Sequence, residues 1–133
     1  MMNDDRSASI SIGGTSYEMI LTTKATKEIS KRYGGLENLG EKLMKSENFE
    51  ATLSEIVWLI TLLCNQSILI YNMQNLNERK DLLTEQTVEL LTSPFELAEY
   101  KEAIMKAMYK GTKREVQSED IPSKNIVVEQ TTI

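Results

Sequence analysis

The chain has 133 residues, a net charge of −5 and a pI of about 4.9. That length suits one domain able to bury a core without disulfides, and the acidic balance argues against nucleic acid as a partner. It has no histidine and a single cysteine, Cys64. This excludes imidazole proton transfer, a Ser-His-Asp or Cys-His arrangement and an internal disulfide, and leaves only Cys64 and carboxylates for any zinc site.

The opening stretch, MMNDDRSASI, is acidic and polar and reads as a loose terminus, not a signal peptide. Ile10 and Ile12 then alternate with serines, and Tyr17, Met19 and Leu21 alternate with Glu18 and Ile20. Gly13-Gly14 between them supplies the positive φ of a tight turn, so a β-hairpin is expected at about 8–21. A hairpin is marginal alone and must lean on helices.

TTKATKEISKRYGG reads as a short helix with Thr22 or Thr23 as its cap. Ala25, Ile29 and Tyr33 share one face, Lys31 and Arg32 suit the carbonyl end, and Gly34 fits the left-handed position after it. The next stretch, with Gly35, Gly40 and Lys42, superficially resembles a phosphate-binding loop. Such a loop follows a buried strand, carries lysine directly after its second glycine and then Ser or Thr. Here the glycines follow a helix, and Glu41 stands where the lysine should be. The glycines are therefore read as helix punctuation. Leu36, Leu39 and Leu43 form the face of a second short helix, with Gly40 permitting close packing.

The longest element is expected over about 49–79. Leu53, Ile56, Val57, Ile60 and Cys64 follow helical spacing, and only Thr61 is polar between Ile56 and Cys64. A helix apolar on nearly all sides is central to its fold. A membrane span is disfavoured, because it needs ~20 predominantly apolar residues and Asn65, Gln66 and Ser67 interrupt the run. Trp58 and Cys64 are assigned to the core. Asn65 and Asn72 lie on one face, either as a solvated side or as a hydrogen-bonding seam against another helix or subunit.

Thr84 can cap the next helix, with Leu83 and Val88 as a hydrophobic staple. Ser93, Pro94 and Glu96 make a capping box with proline at the first position of the last helix, which Gly111 is expected to end. Leu97, Tyr100 or Lys101, Ile104 and Met108 run down one side. Phe95, Met105 and Met108 are read as core, with the methionine face as an alternative adaptable binding surface. Residues 112–133 are expected to be a flexible tail. Its Ile126, Val127 and Val128 are candidates for pairing in trans with the hairpin edge. The carboxylate pairs Glu85/Glu89 and Glu96/Glu99 read as wet helix faces.

Three stretches, TTKATKEISKRYGGLENLGEKL, EIVWLITLLCNQSI and LLTSPFELAEYKEAIMKAM, resemble the tail assembly chaperones of long-tailed phages and prophages of Gram-positive bacteria. The likeness covers roughly residues 8–115 and rests on the order and spacing of ordinary residues. It implies a largely helical, cytoplasmic protein that coats the tape measure protein until tail tube subunits polymerise, and is absent from the finished virion. In such phages a frameshifted longer form often recruits the tail tube protein. The resemblance supplies no catalytic residue, metal or cofactor. The alternative is a structural tail or head-tail joining component of the particle.

The expectations are thus a mainly α fold with four to five helices and a short N-terminal β-hairpin, a domain over 1–111 and a tail over 112–133. The expected protein is not an enzyme, binds neither nucleic acid nor membrane, and can self-associate. Its candidate partner-binding residues are Met105, Met108, Ile126, Val127 and Val128.

Overall fold

The structure is a computed structural model describing residues 7–45 and 48–120, with residues 44–45 and 109–120 as backbone only. Two strands, β1 (Ser7–Ile12) and β2 (Thr15–Ile20), precede five helices: α1 (Thr23–Tyr33), α2 (Leu36–Lys45), α3 (Phe49–Gln74), α4 (Glu85–Leu91) and α5 (Pro94–Asp120). The strands form an antiparallel hairpin with Ile12 opposite Thr15 and Ala8 opposite Met19. Gly13 and Gly14 turn it at φ 58° and 86°, as the two-residue loop demands. Ala8, Ile10, Ile12 and Met19 are buried on the face turned to the helices; Ile20, expected to alternate outward, is buried too.

The helix ends follow their local chemistry. Thr22 Oγ1 accepts from Ala25 N at 3.0 Å and starts α1, and Gly34 closes it at φ 88° with its N–H on Ser30 O. Asn48 Oδ1 accepts from Ala51 N at 2.9 Å to start α3, and Thr84 Oγ1 accepts from Thr87 N at 3.1 Å to start α4. The capping box of α5 is reciprocal: Ser93 N donates to Glu96 Oε1 at 2.9 Å, and Glu96 N donates to Ser93 Oγ at 3.2 Å.

The central element is α3. Its Ile56, Val57, Leu59, Ile60, Leu63 and Cys64 are buried, with β2, α5, α4, α2 and α1 packed around it. It is long and apolar enough to cross a membrane by length and composition, and here it forms the middle of the core. Gln66 is 3% exposed, yet bonded at both polar atoms: Oε1 accepts from Thr22 Oγ1 at 2.5 Å and Nε2 donates to Leu62 O at 3.0 Å. The cap of α1 is thereby anchored to the central helix.

Two boundaries differ from the sequence reading. Helix α3 stops at Gln74, not near residue 79, because the chain turns at Asn75 and runs back along the helix without helical structure. That return is held by Asn65 and Asn72. Asn65 donates to Leu83 O at 2.9 Å and accepts from Leu83 N at 2.8 Å. Asn72 donates to Lys80 O at 3.0 Å and accepts from Lys80 N at 2.8 Å. Seven helical residues rise about 10.5 Å, and three extended residues span about 10 Å, so the two pairs fall in register. Of the two readings of these amides, a solvated side or a seam against another helix or subunit, neither holds as stated: they form a seam, and its partner is the chain's own extended backbone. The second difference is α5, which continues through Gly111 to Asp120. Glycine inside a helix costs only about 1 kcal/mol relative to alanine, and the Lys, Arg, Glu and Gln that follow favour helix. Residues 112–120, expected in the tail, are helical; Ile126, Val127 and Val128 lie outside the described residues.

Both turn glycines need positive φ, so alanine at either should cost roughly 1–2 kcal/mol. At Gly13 the added Cβ would also stand 2.9 Å from Leu91 Cδ1, whereas Gly14 faces open space. Gly13→Ala is therefore expected to lower the urea-unfolding free energy more than Gly14→Ala does; equal losses would mean that Leu91 yields without cost. Asn65→Ala leaves both backbone groups of Leu83 unpartnered. It should destabilise by about 1–3 kcal/mol and speed hydrogen exchange at the Leu83 amide, and unchanged exchange would count against the clamp.

Candidate partner-binding site

Among the described residues no group of three or more His, Cys, Asp or Glu side chains could hold a metal ion. Burial pushes the Cys64 thiol up to about 12, so it stays protonated and inert at neutral pH. Gly34 and Gly35 join two helices and Gly40 lies inside the second, so no strand leads into this stretch. A Cβ on Gly40 would meet Met105 Cε at 3.9 Å, an ordinary contact, so space does not require glycine there.

The sequence-selected residues divide. Met108 is buried in the core, and Met105 is half-buried against it. Neither forms an open methionine face. Phe95, read as core, is 73% exposed. It lies about 200° around the helix from Leu97, which is buried, so its spacing places it on the opposite side.

The large apolar side chains left in water include Phe49 at 69%, Leu90 at 75% and Phe95 at 73%. Their chain neighbours Glu50, Glu89 and Pro94, not the three themselves, line a groove of about 300 Å³ between the first turns of α3, the end of α4 and the start of α5. Leu53, Val57 and Leu97 supply its apolar lining, and Phe49 continues the Leu53–Val57 stripe at four-residue spacing. Glu50 and Glu89 are its charged residues, with no Lys or Arg in the lining. Glu96, of the expected wet pair Glu96/Glu99, is half-buried and committed to the capping box; Glu85, Glu89 and Glu99 are exposed. Sequence reasoning missed Phe49 and Leu90. Phe49 falls four residues before Leu53, in line with the periodic face, so spacing alone does not mark it as exposed.

A second polar constellation fastens α1 to α3. Arg32 Nε bonds Glu55 Oε1 at 3.1 Å, and the Tyr33 hydroxyl donates to the same oxygen. The Arg32 guanidinium stacks 4.4 Å from the Trp58 ring centroid, and Tyr33 meets Trp58 edge-on at 6.0 Å. Trp58 is thus a half-buried margin of the core. Burial alone pushes the Glu55 carboxyl up. The bonds from Tyr33 and Arg32, with the charges of Arg32 and Lys42, outweigh it and hold Glu55 below the usual range. Burial, and then the bond to Glu55, push the Tyr33 phenol well above its ordinary value. Arg32 and Tyr33 share one oxygen of Glu55 while the guanidinium stacks on Trp58, which makes this constellation a structural brace between α1 and α3.

Compared with family models, curated proteins and solved structures, the chain gives no match.

Because the folded carboxyl of Glu55 sits below its unfolded value, its contribution is complete above the unfolded pKa and is lost as pH falls through the folded one. The stability gap between the protein and Glu55→Gln is therefore expected to narrow from neutral pH into the range below about 4. A gap constant with pH, measured by urea unfolding, would overturn that assignment.

Proposed function

We propose that the chain is a phage or prophage tail assembly chaperone: a non-enzymatic cytoplasmic protein that holds segments of the tape measure protein until the tail tube polymerises. The observation that carries this reading is the set of large apolar side chains left in water, Phe49, Leu90 and Phe95 among them. Large apolar side chains left in water suit a protein that binds an apolar client, and a net charge of −5 keeps a complex with an aggregation-prone helical client soluble. The sequence resemblance supports it independently, since its three stretches supply α1 and α2, the centre of α3, and the end of α4 with α5. Release of the client suits many moderate contacts acting together and requires no nucleotide. Any tail tube recruitment would belong to a frameshifted longer form.

The protein co-expressed with the product of the very long gene expected just downstream should co-purify with it and keep it soluble. Mass spectrometry of purified particles should then find the chain absent. Stoichiometric presence in mature tails would overturn the reading and make the chain a structural component.

A further inference from the structure

The segment between α3 and α4 is held from outside, not by the core. Of residues 75–84 only Asn75 and Leu83 are even half-buried. The Asn65 and Asn72 clamps fix it, with Lys80 Nζ 4.2 Å over the Tyr71 ring and Asn75 Nδ2 donating to Tyr71 O at 2.9 Å. Helix α3 ends at Asn75 with φ −138°, without the left-handed glycine that stops α1. Between Gly40 and Pro94 the chain contains neither glycine nor proline, so no residue type there forbids one helix from Phe49 to Leu91. On such a helix Leu69, Leu76 and Leu83 recur every seven residues with Met73 beside them. Asn65 and Asn72 flank the same stripe, so it adjoins the face that the returning segment covers. In the structure Met73 is 76% and Leu76 67% exposed.

We propose that residues 75–84 are a hinge through which two copies of this chain exchange α4 and α5, each hinge becoming helical as it opens. The fold itself names the partner. Leu53 and Val57 of α3 line one groove with Pro94 and Leu97 of α5. A helix continuous from Phe49 to Leu91 would carry the start of α5 about 60 Å from that place, at about 1.5 Å per residue. An opened chain therefore cannot cover its own α3, and the elements shaped to cover it are the α4 and α5 of a second copy. Exchange returns Val88, Leu97, Ile104, Ala107 and Met108 to the same core between copies, so no buried contact outside the hinge is lost. Because the returning segment runs back along α3, the two opened helices lie antiparallel and their hinges meet at the twofold axis. There Met73 and Leu76 of one copy gain cover from those of the other. Charge permits the meeting: Glu78 and Asp81 balance Arg79 and Lys80 within the hinge, although the whole chain carries −5. The amide clamps and the Thr84 cap oppose opening and keep a single chain closed. The inference does not rest on the proposed function.

The test refolds the full chain from urea at low and high concentration and separates monomer from dimer by sedimentation. High concentration should yield a discrete dimer that persists after dilution, because release requires reopening. Far-UV circular dichroism should show more helix per chain in the dimer than in the monomer. Copies carrying Glu50→Cys, refolded together with copies carrying Glu89→Cys, report the exchange, since in a swapped dimer each groove takes one of these exposed positions from each chain. A thiol cross-linker should join two chains in the dimer fraction and none among the monomers. Arg79→Gly combined with Asp81→Gly disfavours a helical hinge while leaving the bonds at Lys80 and Leu83 intact, and should raise the dimer dissociation constant by about tenfold or more. Asn72→Ala removes one clamp of the closed chain and should lower that constant by about tenfold. A dimer that gives no cross-link between copies, or one indifferent to the glycine pair, would overturn the proposal. So would wild type and Asn72→Ala that both refold only to monomer at high concentration.

Discussion

Between Ile56 and Cys64 the central helix carries one polar side chain, Thr61, which bonds back to Val57 O at 2.8 Å. A helix so apolar cannot rest against water on any broad side, and this requirement organises the rest of the chain. The hairpin covers one side through β2, and α5 covers another while lying along β1. The Tyr100 hydroxyl donates to Ser11 O, so α5 is tied to β1 by a polar contact as well as by packing. Short helices α1, α2 and α4 fill the remaining sides with Ala25, Ile29, Leu39, Leu43 and Val88. None of these covers has enough apolar area to be stable alone, and the two-stranded sheet least of all. They are stable because each buries its face on α3 or on another element packed there.

The return from α3 to α4 shows how a polar patch on such a helix can be used without cost. An extended segment presents a backbone donor and acceptor at every residue, and each needs a partner when covered. Asn65 and Asn72 each offer both an acceptor and a donor, so one side chain satisfies both groups of one residue. Their spacing matches two helical turns to three extended residues. The clamp thus fixes the register of the segment and delivers Leu83 beside the core and Thr84 to its capping position. Gln66, next to Asn65, serves the other side of the helix by gripping Thr22. Polar residues that break the apolar run are the fasteners for the elements on either side of it.

This division explains what could be read from sequence. The hairpin, the caps at Thr22, Thr84 and Ser93, and the left-handed Gly34 depend on neighbours within a few residues, so local chemistry specified them. The amide seam was visible as a face but not as a contact, because its partner returns only after a turn whose course depends on tertiary packing. The same holds for the end of α3 at Gln74, since the amides and polar residues from 75 to 79 do not themselves forbid helix. Gly111 misled in the opposite way: a glycine is a permitted stop, not an obligatory one, and α5 passes through it. At the candidate site, hydrophobicity assigned Phe95 to the core although its spacing from Leu97 pointed it away. Met108 and Met105 followed periodicity inward, which removed the methionine face from the surface. Lys101 is half-buried and reaches Leu43 O at 3.3 Å, while Tyr100 reaches β1, so the undecided position on that side is shared by both.

The apolar residues left over gather at helix ends, and the capping chemistry explains why they can. The starts of α3 and α5 are fixed by Asn48 and by the Ser93–Glu96 pair, and the start of α4 by Thr84. These polar bonds set the chain's direction without help from the side chains beside them. Phe49 therefore contributes little to forming the first turn of α3, and Phe95 little to the first turn of α5. No described element covers either ring. An exposed phenylalanine orders water at a free-energy cost that burial elsewhere in the fold does not recover.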